Sequence, residues 1–160
     1  PAHHSKPAAP GVTAAGRALL GRGPDDLGPR CTPSFAGAGA THLSLALNSR
    51  GTLAAMSYDL AAGRDLMREH GLVTIMLVWV ESDQLFHARN AFASGGVLED
   101  PATGAAAAAF SGYLRDVSWP HGGKITIIQG EDMGAKSIIT AEIPDEKGAS
   151  IRVSGEVRQI

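Results

Sequence analysis

Cysteine is almost missing from the 160 residues: Cys31 stands alone, so no internal disulfide exists and no set of thiols is available for a metal site. A reducing, cytoplasmic setting fits that usage. Long apolar runs are missing too. The longest, Leu72 to Val80, holds nine residues and includes Thr74, whereas a bilayer-crossing helix needs about 20. The sequence is therefore expected to be soluble, with no membrane partner. Charge of one sign is also lacking: 14 basic and 16 acidic residues are scattered along the chain for a net charge of -2. No basic face tracks a phosphate backbone, which excludes nucleic acid as the expected partner. There is no fixed-period repeat and no long low-complexity tract.

No methionine stands at position 1, and Pro1 to Gly11 carries three prolines without an apolar core of signal-peptide length. Residues 1–11 are expected to be a linker or tail, with one domain over 12–160. His3 and His4 are read as a solvated pair in that tail, and no metal site is expected.

What is present is enough apolar sequence, 44% of residues, for a real core. Val12 to Leu20 reads as a short helix stopped by Gly21. Thr41 to Leu47 alternates, with Leu43, Leu45 and Leu47 on one face and His42, Ser44 and Ala46 on the other, as in a half-buried strand. Asp59 to His70 is an amphipathic helix ended by Gly71. Val73 to Val80 and Leu85 to Phe92 form an expected hairpin across Glu81-Ser82-Asp83-Gln84. Ala105 to Leu114 carries no charge and opens with five alanines, so a helix there has no face for water and is expected to be wrapped by protein. Lys124 to Gln129, Ser137 to Ile143 and Ala149 to Val157 read as three further strands. This order lacks strict βαβ alternation and predicts an α+β fold, a curved and mainly antiparallel sheet around a central buried helix.

Chemistry concentrates in Glu99-Asp100-Pro101-Ala102-Thr103-Gly104-Ala105, just ahead of that helix. Pro101 biases Asp100 to extended backbone, and Gly104 permits close approach of a ligand to the chain. The first amides of the helix lack helical acceptors and favour an anion. The pattern thus reads as a carboxylate or oxyanion cradle beside Asp100, or as a helix start capped by Asp100 or Thr103 itself.

Several segments together carry a resemblance. His87-Ala88-Arg89-Asn90-Ala91-Phe92, the Glu99 to Ala105 turn, Gln129-Gly130-Glu131-Asp132-Met133-Gly134 and Ile151-Arg152-Val153-Ser154-Gly155 are similar to the second half of the PhzF-like phenazine-biosynthesis family, relatives of the diaminopimelate epimerases. Weaker likeness extends through Gly39-Ala40-Thr41-His42-Leu43 and Gly23-Pro24-Asp25-Asp26-Leu27, so it covers nearly everything after the tail. The resemblance implies two similar lobes with the active site between them, no metal or organic cofactor, and isomerisation of a small carboxylic acid by proton transfer.

On this resemblance Asp100 is the catalytic group of the second lobe, and Thr103, Gly104 and Ala105 bind substrate. His42, in a segment resembling the family's Gly-x-Pro-His-Leu, and Arg89, which shares a strand face with His87, are further candidate substrate-binding residues. The sequence departs from the family in three ways. Ala105 replaces the usual serine, removing a hydroxyl while leaving the amide. Gly134-Ala135-Lys136-Ser137 replaces Gly-Arg-Pro-Ser, exchanging a guanidinium fork for an ammonium. No counterpart of the first lobe, with its Gly-Asn-Pro segment and glutamate, is found.

The expected function is therefore the second lobe of such an isomerase, paired with a first-lobe chain or a second copy of itself. The alternative is a non-catalytic module of the same descent that binds a small anion or a partner protein.

Overall fold

Each parallel pair of strands requires a crossover, and the chain makes two of them, one on each side of its central hairpin. The computed structural model describes residues 3–37 and 39–156. Among these residues nine strands occur in chain order: β1 (His4–Pro7), β2 (Ser34–Gly37), β3 (Thr41–Leu47), β4 (Thr74–Val80), β5 (Leu85–Ala91), β6 (Glu99–Asp100), β7 (Lys124–Gln129), β8 (Ser137–Glu142) and β9 (Arg152–Gly155). Four helices accompany them: α1 (Pro10–Leu19), α2 (Arg50–Ala54), α3 (Leu60–Glu69) and α4 (Gly104–Asp116). The strands form one curled sheet in the order β1-β2-β3-β4-β5-β7-β8-β9, with the short β6 added on β5.

β3–β4 and β5–β7 run parallel while the other pairs run antiparallel, so the α+β fold has a mixed sheet. α2 and α3 make the first crossover, and β6 with α4 makes the second.

Two apolar clusters share the sheet. Leu43, Leu45 and Leu47 of β3 join Leu53, Met67, Ile75 and Leu77 in one. Met76, Val78, Phe86, Ile125 and Ile127 join the alanines and Phe110 of α4 in the other. β3 is therefore covered on both faces, and His42 and Ser44 are buried rather than half exposed. An alternating pattern identifies a strand with one strongly apolar face, but it does not distinguish water from a helix over the other.

α4 packs on β1, β2, β3, β8 and β9. Its residues Ala106, Ala107 and Leu114 have no exposed surface, and Phe110 meets Phe86 edge-on with ring centroids 5.2 Å apart. The small side chains let strands approach the helix backbone closely.

The structure corrects the reading of residues 1–11 as a tail. Pro1 and Ala2 lie outside the described residues, but His4–Pro7 pairs antiparallel with Ser34–Gly37, and Pro10 begins α1. His3 is buried, its Nε2 lying 2.9 Å from the Ala109 carbonyl, in space left open by Gly112, where a Cβ would come within 2.1 Å of that nitrogen. β1 escaped notice because its stabilisation comes from backbone pairing at an edge, which a His-Ser-Lys-Pro sequence does not advertise. The last strand is also shorter than Ala149 to Val157, and Val157 lies outside the described residues.

Candidate active site at the start of the buried helix

β6 exists only as two residues, and its pairing sets Asp100 opposite Asn90 and Glu99 opposite Ala91. Pro101 then turns the chain toward α4, with Thr103 as its N-cap residue at φ -107° and ψ 86°. The Thr103 hydroxyl does not cap the helix. It donates instead to Asp100 Oδ2 at 2.6 Å, and the Ala102 amide approaches Asp100 Oδ1 at 3.4 Å. The Ala107 amide donates to the Thr103 carbonyl at 3.0 Å, the first bond of the helix. The amides of Gly104, Ala105 and Ala106 precede that bond, and no side chain caps the helix start. Gly104 and Ala105 are themselves exposed there.

Beneath the turn lies Gln129, the last residue of β7 and fully buried. Its Nε2 donates to the Asp100 carbonyl at 2.7 Å and to Thr103 Oγ1 at 3.0 Å. Its Oε1 accepts from Asn90 Nδ2 at 3.3 Å and from the Thr103 amide at 3.4 Å. Gly130 follows at φ +78°, where a Cβ would stand 2.3 Å from the Ala135 carbonyl oxygen and 3.0 Å from that of Pro101. The Gly130 to Gly134 loop is thereby held against the Asp100 turn.

Neither of the remaining candidates, Arg89 and His42, hydrogen-bonds Asp100. Arg89 is committed to protein partners: Nε and Nη2 donate to the Glu99 carboxylate at 3.0 and 2.6 Å, and Nη1 donates to the Ala54 carbonyl at 2.7 Å. The Glu99 hydrogen bonds hold its pKa above the ordinary guanidinium value. His42 Nδ1 lies 2.8 Å from Thr74 Oγ1, and burial pulls the imidazole pKa down to about 4. His42 and Ala105 nevertheless meet at one cavity of about 170 Å³, lined also by Ala108, Ala109, Ser150 and Ile151.

A charged network, joined to Arg89 through Asp132 at 4.0 Å, is not marked by any pattern in the sequence. His87 Nδ1 lies 2.8 Å from Glu131 Oε2, and its Nε2 lies 2.5 Å from Glu81 Oε2. Arg50 reaches both Glu131 and Asp132, at 3.4 and 3.0 Å. Burial pushes the Glu131 pKa up, but the His87 hydrogen bond and the charges of His87, Arg50 and Lys136 outweigh it and hold the carboxyl below its usual value. Lys136, one residue beyond the position that matches the family's arginine, is 3.7 Å from Glu131 Oε1. The position of Gln129 within a matched segment was the one signal available for its role. Among the described residues, no group of three His, Cys, Asp or Glu side chains is arranged to hold a metal ion, and no helix is long and apolar enough to cross a membrane.

An α+β chain with a mixed sheet and an acidic turn opening a buried alanine-rich helix defines a fold seen before. The sequence model of the phenazine biosynthesis-like family (PhzC-PhzF) matches residues 10–158, and the chain belongs to that family. No curated protein matches it. Among solved structures, it resembles a PhzF-family phenazine biosynthesis protein of Bacillus anthracis at 15% identity and a TM-score of 0.69, covering 95% of this chain and 53% of that one. A predicted epimerase of Pseudomonas aeruginosa is similar at 20% identity and a TM-score of 0.74, covering 95% of this chain and 51% of that one. A PhzF-family protein of Enterococcus faecalis is similar at 17% identity and a TM-score of 0.58, covering 98% and 57%. At these identities the likeness is one of fold. The chain spans about half the length of these proteins.

Proposed function

We propose that this chain is the second lobe of a PhzF-like isomerase, which moves a proton on a small carboxylic acid without a cofactor. The observation that carries the reading is the Asp100 carboxylate, held by the Thr103 hydroxyl at 2.6 Å beside a helix start that no side chain caps. Removing a proton from a carbon next to a carboxylate leaves an electron pair that spreads onto the carboxylate oxygens. Amides at a helix start stabilise such charge without reorganising. Asp100 would exchange one proton with the substrate carbon skeleton, and a carboxylate of a first lobe would handle the other. That first lobe would come from another polypeptide, from sequence outside these residues, or be replaced by a second copy of this chain, with α4 central to a sheet that closes against its partner.

The second reading, a non-catalytic anion-binding module, is favoured by Ala105, where the family has a serine. One experiment separates them. Small α-hydroxy acids are titrated into the chain, and proton exchange at their α-carbon is followed in heavy water, with and without a family first lobe. The isomerase reading requires exchange that appears with the first lobe and is lost in Asp100→Asn. Binding at residues 104–106 with no exchange under any pairing would overturn it in favour of the binding module.

A further inference from the structure

We propose that Gln129 is a positioning residue that fixes the direction of the Asp100–Thr103 hydrogen bond and so selects which Asp100 oxygen exchanges the proton. The inference rests on the role proposed above for Asp100. Its foundation is a complete accounting of one buried amide. The Asp100 carbonyl oxygen only accepts, so the Gln129 atom 2.7 Å from it must be the NH2 group, which settles the amide orientation. The second N–H of that group points at Thr103 Oγ1, 3.0 Å away. A hydroxyl has one proton. Having accepted from Gln129, Thr103 gives its proton to Asp100 Oδ2 at 2.6 Å. On its other side, Gln129 Oε1 is filled by Asn90 Nδ2 and the Thr103 amide at 3.3 and 3.4 Å, so the amide has no freedom to flip.

The consequence is an asymmetric carboxylate. Oδ2 carries the short bond, whereas Oδ1 has only the Ala102 amide at 3.4 Å and remains the basic oxygen presented to a ligand. Without Gln129 the Thr103 hydroxyl loses the donor that fixes its rotation, its bond to Oδ2 is no longer held, and the difference between the two Asp100 oxygens shrinks. The fully buried Gln129 leaves none of its four hydrogen-bonding positions idle, since Asp100, Thr103 and Asn90 engage all of them.

The test begins with NMR on the labelled chain. The wild type is expected to show a protected Thr103 hydroxyl proton and a scalar coupling from Gln129 Nε2 across to the Asp100 carbonyl carbon. In Gln129→Met, of similar volume, hydroxyl exchange should accelerate while the amide spectra of β7 and α4 persist. In the exchange assay with a first lobe, kcat should fall by about 100-fold, the cost of a misplacement of about 1 Å, with KM nearly unchanged. Thr103→Val should show the same kcat loss and Thr103→Ser should restore activity.

Unchanged hydroxyl protection in Gln129→Met, or full kcat in that variant where Asp100→Asn is dead, overturns the inference. If Gln129→Met does not fold, Thr103→Val decides, and its full activity overturns it. Exchange that survives Asp100→Asn instead overturns the underlying reading, and the hydroxyl signal then still reports separately whether Gln129 orients the pair.

Discussion

His42 spends the neutral pH range uncharged because burial lowers its pKa from 6.5 to about 4, with Thr74 as partner. A histidine whose folded pKa is depressed contributes stability that is full above its unfolded value near 6.5 and is lost as pH falls toward 4. The shift corresponds to about 3 kcal/mol in full. Urea midpoints measured between pH 7.5 and pH 4.5 should therefore fall more steeply for the wild type than for His42→Gln, which has no proton to bind. Arg89 makes a different case. Its side chain and that of Glu99 are 10% and 6% exposed, so Arg89→Leu leaves a nearly buried carboxylate alone and should cost about 3–5 kcal/mol in urea unfolding. Pairing that change with Glu99→Leu should recover most of the loss. Both outcomes would mark Arg89 as a holder of the turn, through the residue next to Asp100, rather than a group free to bind substrate.

Along α4, neighbouring alanines answer to different surroundings. Ala107 has no exposed surface, whereas Ala105 is exposed at the helix start. Ala107→Leu should therefore overpack the core and cost about 1–3 kcal/mol, read as a drop in thermal midpoint. Ala105→Ser should change stability by less than about 0.5 kcal/mol while supplying a hydroxyl beside the free amides and tightening anion binding. The loop from Gly130 to Gly134 is a tighter element. At φ +78° and facing two carbonyl oxygens, Gly130 has no room for a side chain, and Gly130→Ala should lower stability by about 1–3 kcal/mol. Because that loop abuts Pro101, the same variant should also shift the Asp100 and Thr103 resonances.

At the scale of the molecule, Val97, Leu98, Met133 and Ile138 stand between 40% and 51% exposed on segments flanking the Asp100 turn. Exposed apolar side chains of this kind are what the pairing proposed above would cover. Light scattering of the purified chain is expected to report a dimer, or a complex once a family first lobe is added, with Met133→Lys and Ile138→Lys weakening either. α-Carbon exchange by the chain without a first lobe should be lower by about 100 to 10,000-fold, the usual worth of one general acid or base. A monomer that exchanges robustly, unaffected by Asp100→Asn, would contradict both the pairing and the role of that residue.

The amino-acid sequence by itself determined the family, the uncharged helix over Ala105 to Leu114 and the place of the acidic turn ahead of it, because local patterns and short motifs are properties of neighbouring residues. It also located the β4–β5 hairpin, whose apolar strands and polar turn are contiguous. Only the tertiary structure decided what was distant in the chain. It recruited His4–Pro7 as an edge strand, since backbone pairing leaves no mark on side-chain pattern. It buried the polar face of β3 because α4, which comes much later in the chain, packs there. It turned Arg89 onto Glu99 and placed Gln129 beneath Asp100 and Thr103, since hydrogen-bond partners across a sheet are chosen by strand order, and strand order is settled only when the whole chain has closed on its core.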